Sequence, residues 1–284
     1  MEQIRKYHPK DKGQLASLIQ LEMGFGENEL KFLTEKCEIL IVYENNDKLI
    51  GFSFFRTLEN HAQTGNCYTY VTPSMRNQGI GSKLHTEIFD ITKEAGIRHF
   101  ATRIVTDGES ELNFYKKRGY RNWYALIDMK RDAQPAENPG VTMLPYYDDY
   151  FEAYAKGERE AFYEMRKHHN FIPYYACEVN EETKKEFHDD LTGNTYVLTD
   201  NDEFLGAVTV TDQGYIDDLF VAPEHQGNGI GRKLILFAIN KARDNGAQSI
   251  KLDVVKWNTR AANLYRSVGF GITQTKNFYM LDEE

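Results

Sequence analysis

Val221-Ala222-Pro223-Glu224-His225-Gln226-Gly227-Asn228-Gly229-Ile230-Gly231-Arg232-Lys233-Leu234 has a near-copy earlier in the chain, Val71-Thr72-Pro73-Ser74-Met75-Arg76-Asn77-Gln78-Gly79-Ile80-Gly81-Ser82-Lys83-Leu84. Seven of the fourteen positions are identical, and Gly79 and Gly229 stand 150 residues apart. The same spacing takes Gly96 to Gly246, Asn113 to Asn263, Tyr115 to Tyr265 and Gly119 to Gly269. Upstream, Gly51 matches Gly206 at a spacing of 155, so the second copy is five residues shorter there. A trimmed hairpin loop accounts for that. A register kept over so many positions marks a duplicated unit.

Between the copies lies Arg131-Asp132-Ala133-Gln134-Pro135-Ala136-Glu137-Asn138-Pro139-Gly140, polar, with two prolines and no periodicity. This places a first domain at 1–131, a linker at 132–139 and a second domain at 140–284. At 284 residues the chain is long enough for two domains, each with its own core. A net charge of −9 argues against a nucleic-acid surface and suits a cationic or amine substrate. Cys37, Cys67 and Cys177 show neither disulfide nor metal-ligand spacing, and the histidines lack motifs such as HExxH. No metal and no membrane contact are expected. The first residues lack the apolar run of a signal peptide, and Leu234 to Ile239 is far too short to cross a bilayer, so a cytoplasmic protein is expected.

Each copy reads the same way. Glu38 to Tyr43 and Leu49 to Arg56 are strands joined by a turn at Asn45-Asn46-Asp47. A third strand, Cys67 to Val71, runs into the glycine motif, a helix from Gly81 to Ala95 follows, and Gly96 stops it. Strand His99 to Val105, helix Ser110 to Lys117 and strand Trp123 to Lys130 complete the copy. The second copy repeats the order through Thr195–Thr199, Phe204–Thr211, Tyr215–Val221, Gly231–Asn245, Ile250–Val255, Thr259–Val268 and Ile272–Leu281. Strands that first meander and then alternate with helices predict an α/β fold: in each copy a mixed, mostly antiparallel sheet flanked by helices. The charged, aromatic stretch from Asp148 to His169 reads as a core stripe with a solvated face.

The segment Gln226-Gly227-Asn228-Gly229-Ile230-Gly231 separates a strand from a helix. Glycines there let backbone N–H groups and a helix N-terminus close on a pyrophosphate. A Walker loop would need GxxxxGK[ST], and a dinucleotide fingerprint would need a third glycine where Leu234 and Leu84 stand. Neither fits.

The pattern [QR]xxGx[GA] after a Val-x-Pro strand end resembles the acetyl-CoA-binding motif of the GNAT superfamily of N-acetyltransferases. At the right distance, Asn258-Thr259-Arg260-Ala261-Ala262-Asn263-Leu264-Tyr265-Arg266-Ser267-Val268-Gly269-Phe270 resembles that family's N-x-x-A-x-x-L-Y-x-x-x-G-F helix. The resemblance implies two tandem GNAT-like domains with acetyl-CoA, or another acyl-CoA, as co-substrate. The pyrophosphate would lie on Gln226, Gly227, Asn228, Gly229, Ile230 and Gly231. In the first copy the matching residues are Arg76, Asn77, Gln78, Gly79, Ile80 and Gly81, after Val71. Backbone N–H groups from Leu219 to Val221 would polarise the thioester carbonyl. Tyr265 would protonate the leaving thiolate, and Asn258 would contribute to the cofactor site or simply cap its helix. A phenol near pKa 10 facing a thiol near 8.5 leaves a gap of about 2 kcal/mol, which a modest shift of the tyrosine would remove.

The amine must be uncharged to attack, so a carboxylate base is useful. Strand alternation places Asp217 with Leu219 and Val221 on one face, and Asp218 with Ile216 and Phe220 on the other. Asp217 is favoured as base, although the family often has glutamate where Tyr215 stands. The first copy has no carboxylate on its matching strand, with Cys67 and Tyr68 opposite Asp217 and Asp218. It carries Gly108 for Asn258 and Glu111 for Ala261, but keeps Tyr115. It is expected to hold CoA and turn over slowly or not at all. The leading expectation is acetyl transfer to a primary amine of a small molecule or peptide. The rival is a non-catalytic acyl-CoA-binding sensor or scaffold.

Overall fold

The structure is a computed structural model, and it describes residues 2–22, 26–58, 63–105, 109–168, 174 and 181–282. Two compact units divide the chain: Met1–Asn122 with Phe278–Glu284, and Trp123–Asn277.

Unit one begins with β1 (Glu2–Lys6), α1 (Lys12–Ser17), α2 (Glu27–Glu35) and β2 (Ile39–Asn45). It continues through β3 (Lys48–Thr57), β4 (Thr64–Val71), α3 (Ile80–Glu94), β5 (His99–Val105) and α4 (Glu109–Lys116). The sheet runs β1-β2-β3-β4-β5, antiparallel except for β4 with β5. Alternation splits its side chains between two cores. Ile41, Phe55 and Phe100 pack with Ile80, Leu84 and Ile88 of α3, while Val42 and Phe52 pack with Leu15, Ile19, Leu30 and Leu33 of α1, α2 and their link. The expected β2–β3 turn is present, with Asn46 and Asp47 both at positive φ (49° and 62°) as a two-residue hairpin requires.

Unit two holds most of β6 (Arg121–Asp132), then β7 (Leu144–Pro145), α5 (Phe151–His168), α6 (Glu181–Leu191), β8 (Thr195–Asp200) and β9 (Glu203–Val210). It goes on with β10 (Ile216–Val221), α7 (Ile230–Asp244), β11 (Ser249–Val255), α8 (Thr259–Ser267) and the first part of β12 (Gly271–Asp282). Strands β10-β9-β8-β7 form one antiparallel sheet, and β11 pairs with β6 from Ser249↔Asp132 to Val255↔Leu126. The face of α7 bearing Ile230, Leu234, Ile235 and Ala238 seals the main core with Val208, Val210, Leu252 and Val254. On the other face of β9 and β10, Tyr154 of α5 packs with Ala207 and Phe220.

The compact units depart from the sequence division at 131 and 140. That division follows the duplication, whereas the units follow strand pairing. Ile127 and Met129 of β6 join the core of the second copy, and Tyr279 of β12 joins the core of the first. In unit one His99 Nδ1 meets Asp282 Oδ1 at 2.8 Å. Each sequence copy thus gives its last strand, wholly or in part, to the other unit. The linker is tied to unit two, where Ala136 N–H donates to Asn240 Oδ1 at 3.0 Å.

The repeated glycine upstream of the motif has a plain cause. Gly206 lies opposite Val221, and Gly51 opposite Val71. A Cβ would come 2.5 Å from the Phe220 carbonyl oxygen in the first case and 2.4 Å from that of Tyr70 in the second. The five-residue difference therefore lies beyond this pair, in the hairpin ends, where the sequence places it.

Candidate active site

In unit two β10 and β11 meet in parallel at Tyr215↔Lys251, where Lys251 N–H donates to Gly214 O at 2.9 Å. No further pair joins these strands among the described residues, so a cleft opens toward the end of β10. Gln226 Nε2 donates to Val221 O at 3.1 Å on that open side. N–H and C=O of an extended residue point the same way, so Val221 N–H, and Leu219 N–H two residues before it, face the cleft as well. The loop then turns through Gly227 (φ 89°) and Gly229 (φ 79°), both with open space where a Cβ would stand, into the first turn of α7. Glycine adopts that backbone freely and leaves that side of the loop clear. The cradle of Gln226, Gly227, Asn228, Gly229, Ile230 and Gly231 therefore has the open backbone a pyrophosphate needs.

The expected alternation along β10 is broken. Between Asp217 and Phe220 one residue is inserted relative to β9, and Asp218 takes φ 43°. This is a β-bulge, and it reverses the faces beyond it. Ile216 joins the α7-side core whereas Phe220 joins the α5-side cluster, although strict alternation puts them together. The bulge also shifts the match to the first copy. By register Asp217, opposite Thr209, corresponds to Tyr68 opposite Phe54, and Ile216 corresponds to Cys67.

Asp217, the favoured base, is exposed, and its Oδ1 accepts the N–H of Asp218 at 3.0 Å, which supports the left-handed residue. Asp218 is partly buried, and burial raises its pKa to about 6, with Asp217 adding and Arg166 subtracting. Facing it is a carboxylate not expected from the sequence. Glu158 of α5 is 8% exposed, its Oε2 has no hydrogen-bond partner among the described residues, and burial lifts its pKa to about 7, with Asp218 and Asp217 acting in the same sense and Arg166 against. The stretch taken as core stripe and solvated face therefore carries part of the site. Helical spacing holds the signal, because Phe151, Tyr154, Ala155 and Glu158 fall on one stripe, and a carboxylate on an apolar stripe needs a reason. At Tyr215, where the family often has glutamate, burial and then the neighbouring Asp253 keep the phenol protonated.

Tyr265 projects from α8 and is 7% exposed, and its hydroxyl makes no hydrogen bond among the described residues. Burial and then the charge of Asp217 push its pKa up to about 12. The shift is opposite to the one that would ease proton transfer to a thiolate. Asn258 takes the capping alternative, accepting Ala261 N–H at 3.1 Å.

Unit one has the same cradle backbone, with Gly79 at φ 81°, Asn77 at φ 62°, and Arg76 Nε donating to Val71 O at 3.0 Å. Its β4 is unbulged, pairing with β3 from Thr57↔Gly65 to Gly51↔Val71 without a register shift. There Thr69 N–H donates to the Tyr115 hydroxyl at 2.9 Å, with Tyr115 fully buried. Glu111 lies beside Tyr68, and burial raises its pKa, with Tyr68 and Arg76 acting against. Cys67 is buried beside Tyr120 at 3.1 Å, and burial raises its thiol to about 11, so it stays protonated. Gly108 and Cys177 lie outside the described residues. No group of histidine, cysteine and carboxylate side chains among the described residues could hold a metal ion.

Two family models match the chain. The Acetyltransferase (GNAT) family covers residues 146–270, and an Acetyltransferase (GNAT) domain covers 36–122. The chain belongs to the GNAT acetyltransferases and carries two such domains in tandem. It is similar to the thialysine N-epsilon-acetyltransferase of Bos taurus, 42% identical over 55 residues, 19% of this chain and 32% of the relative. It is also similar to the [ribosomal protein bS18]-alanine N-acetyltransferase of Haemophilus ducreyi, 37% identical over 76 residues, 26% of this chain and 52% of the relative. The chain thus spans between a third and a half of the length of these curated relatives. A solved tandem GNAT protein from the clavulanic acid biosynthesis pathway shares the fold, with a TM-score of 0.66, 15% identity, and coverage of 99% of this chain and 98% of that one.

Proposed function

We propose that the chain transfers an acetyl group from acetyl-CoA to a primary amine of a small molecule or peptide by direct attack, and that unit two carries the turnover. The observation that carries this reading is the open end of β10, with its bulge at Asp218 and the cleft-facing N–H groups of Leu219 and Val221, together with a Tyr265 on which the charge of Asp217 acts and whose hydroxyl is unengaged among the described residues. The relatives acting on thialysine and on a ribosomal-protein alanine support an amine acceptor.

Acetyl-CoA would supply an activated thioester, with its pyrophosphate on residues 226–231. Leu219 and Val221 N–H would stabilise the carbonyl oxygen as it gains charge. Asp218, ionised near neutrality, is the proton acceptor for the incoming amine, a role the sequence reading favours for Asp217. A C–N bond forms and the C–S bond breaks. Tyr265 supplies the proton that leaves with the sulfur. Against an exposed thiol near 8.5, a phenol at about 12 is uphill by roughly 5 kcal/mol, a gap that narrows because burial raises the thiol too. In unit one the matching amide is engaged by Tyr115, so that half is read as catalytically silent.

The test is incubation with acetyl-CoA and a panel of amines, following free thiol. Release above background that needs an amine supports transfer. CoA binding without release from any amine supports the sensor or scaffold reading instead.

A further inference from the structure

We propose that the acceptor of unit two is an aliphatic ammonium that carries a second positive charge and no carboxylate beside the reacting nitrogen. This rests on the acyltransferase reading and names its substrate class.

The charges of Asp218 on β10 and of Asp217 both act on Glu158 of α5, and Asp217 also acts on Asp218. Arg166 is the one cation that acts on both Glu158 and Asp218 among the described residues. With all three carboxylates ionised, the group holds two negative charges in excess of that arginine. The buried member has an oxygen with no hydrogen-bond partner among the described residues, and a buried carboxylate is costly unless something pairs it. Tyr154 and Phe220, both buried, and Phe162 pack edge to face in the α5-side cluster beside these carboxylates, which makes their surroundings apolar. In such surroundings an unpaired carboxylate is answered best by an alkylammonium. One positive charge answers Asp218 and is lost when that nitrogen is deprotonated for attack. A second, held by Glu158, keeps the acceptor in place through that step. A carboxylate next to the reacting nitrogen would instead meet three like charges.

Thiol release from acetyl-CoA is measured with 1,5-diaminopentane, n-pentylamine and glutamate, on the wild-type chain and on Glu158→Gln. The expected order of kcat/KM is diaminopentane above pentylamine, with glutamate at least tenfold below the diamine. Glu158→Gln is expected to raise KM for the diamine about tenfold, to change kcat less, and to affect pentylamine at least fivefold less than the diamine. Glutamate turning over as fast as the diamine, or an equal effect of Glu158→Gln on both amines, overturns the proposal. If no amine releases thiol, the acyltransferase reading fails by itself. Calorimetry of 1,5-diaminopentane into the CoA-loaded chain then decides the binding claim, with binding weakened in Glu158→Gln expected and no binding to wild type contradicting it.

Discussion

The backbone N–H of Thr69 donates to the hydroxyl of Tyr115 at 2.9 Å, whereas the corresponding Leu219 and Tyr265 share no hydrogen bond. In one unit the tyrosine closes the strand it faces. In the other, the bulge at Asp218 sets the strand out of register and both groups stay available. Duplication preserved the phosphate cradle, and this one contact separates the two halves chemically.

Tyr115→Phe removes the acceptor for a part-buried N–H. An unsatisfied buried donor costs about 1–3 kcal/mol, so a drop in Tm of several degrees is expected by calorimetric melting. A melt unchanged from wild type would mean that Thr69 finds another partner.

Glu158 has a raised pKa in the fold, so the folded state holds a proton that the unfolded state has released between about pH 4.5 and 7. Stability from this group is therefore present at acid pH and lost as pH rises through that window. Glu158→Gln, which mimics the protonated form, should match wild type near pH 4 and exceed it at pH 8 by up to roughly 3 kcal/mol. Melting curves across pH measure this, and a difference that does not vary with pH counts against it. Activity should run the other way, rising with pH as Asp218 ionises near 6.

Asp218→Gly relaxes a left-handed backbone that glycine adopts freely, against the greater freedom glycine has when unfolded. Stability is expected within about 1 kcal/mol of wild type, with kcat/KM down at least 100-fold. Chemical denaturation with parallel kinetics checks this pair of outcomes. A variant that keeps its activity removes Asp218 from the base role.

Gly206→Ala places a methyl group 2.5 Å from a backbone oxygen that cannot swing away. Overpacking of this kind costs about 1–3 kcal/mol or more, and a lower denaturation midpoint with unchanged slope is expected.

Much of this was legible in the chain itself. The duplication, the element order and the cradle follow from glycine spacing and strand-to-helix switching, because those positions answer to local backbone demands. The Asp218 bulge did not show, since an inserted residue leaves the string Tyr215 to Val221 looking like ordinary alternation. Nor did the strand exchange, because β6 and β12 are equally apolar whichever partner they find. Glu158 was visible on its stripe, but only its facing Asp218 makes it part of a site, and that depends on how α5 packs on β10.

The most direct test of the central claim compares Tyr265→Phe and Tyr115→Phe in steady-state thiol release from acetyl-CoA with the best amine of the panel. Tyr265→Phe is expected to lower kcat by about 100-fold or more, a loss typical of a general acid. Tyr115→Phe is expected to leave kcat within about twofold of wild type at a temperature where both variants are folded. Equal losses in the two variants, or a larger loss from Tyr115→Phe, would contradict that claim.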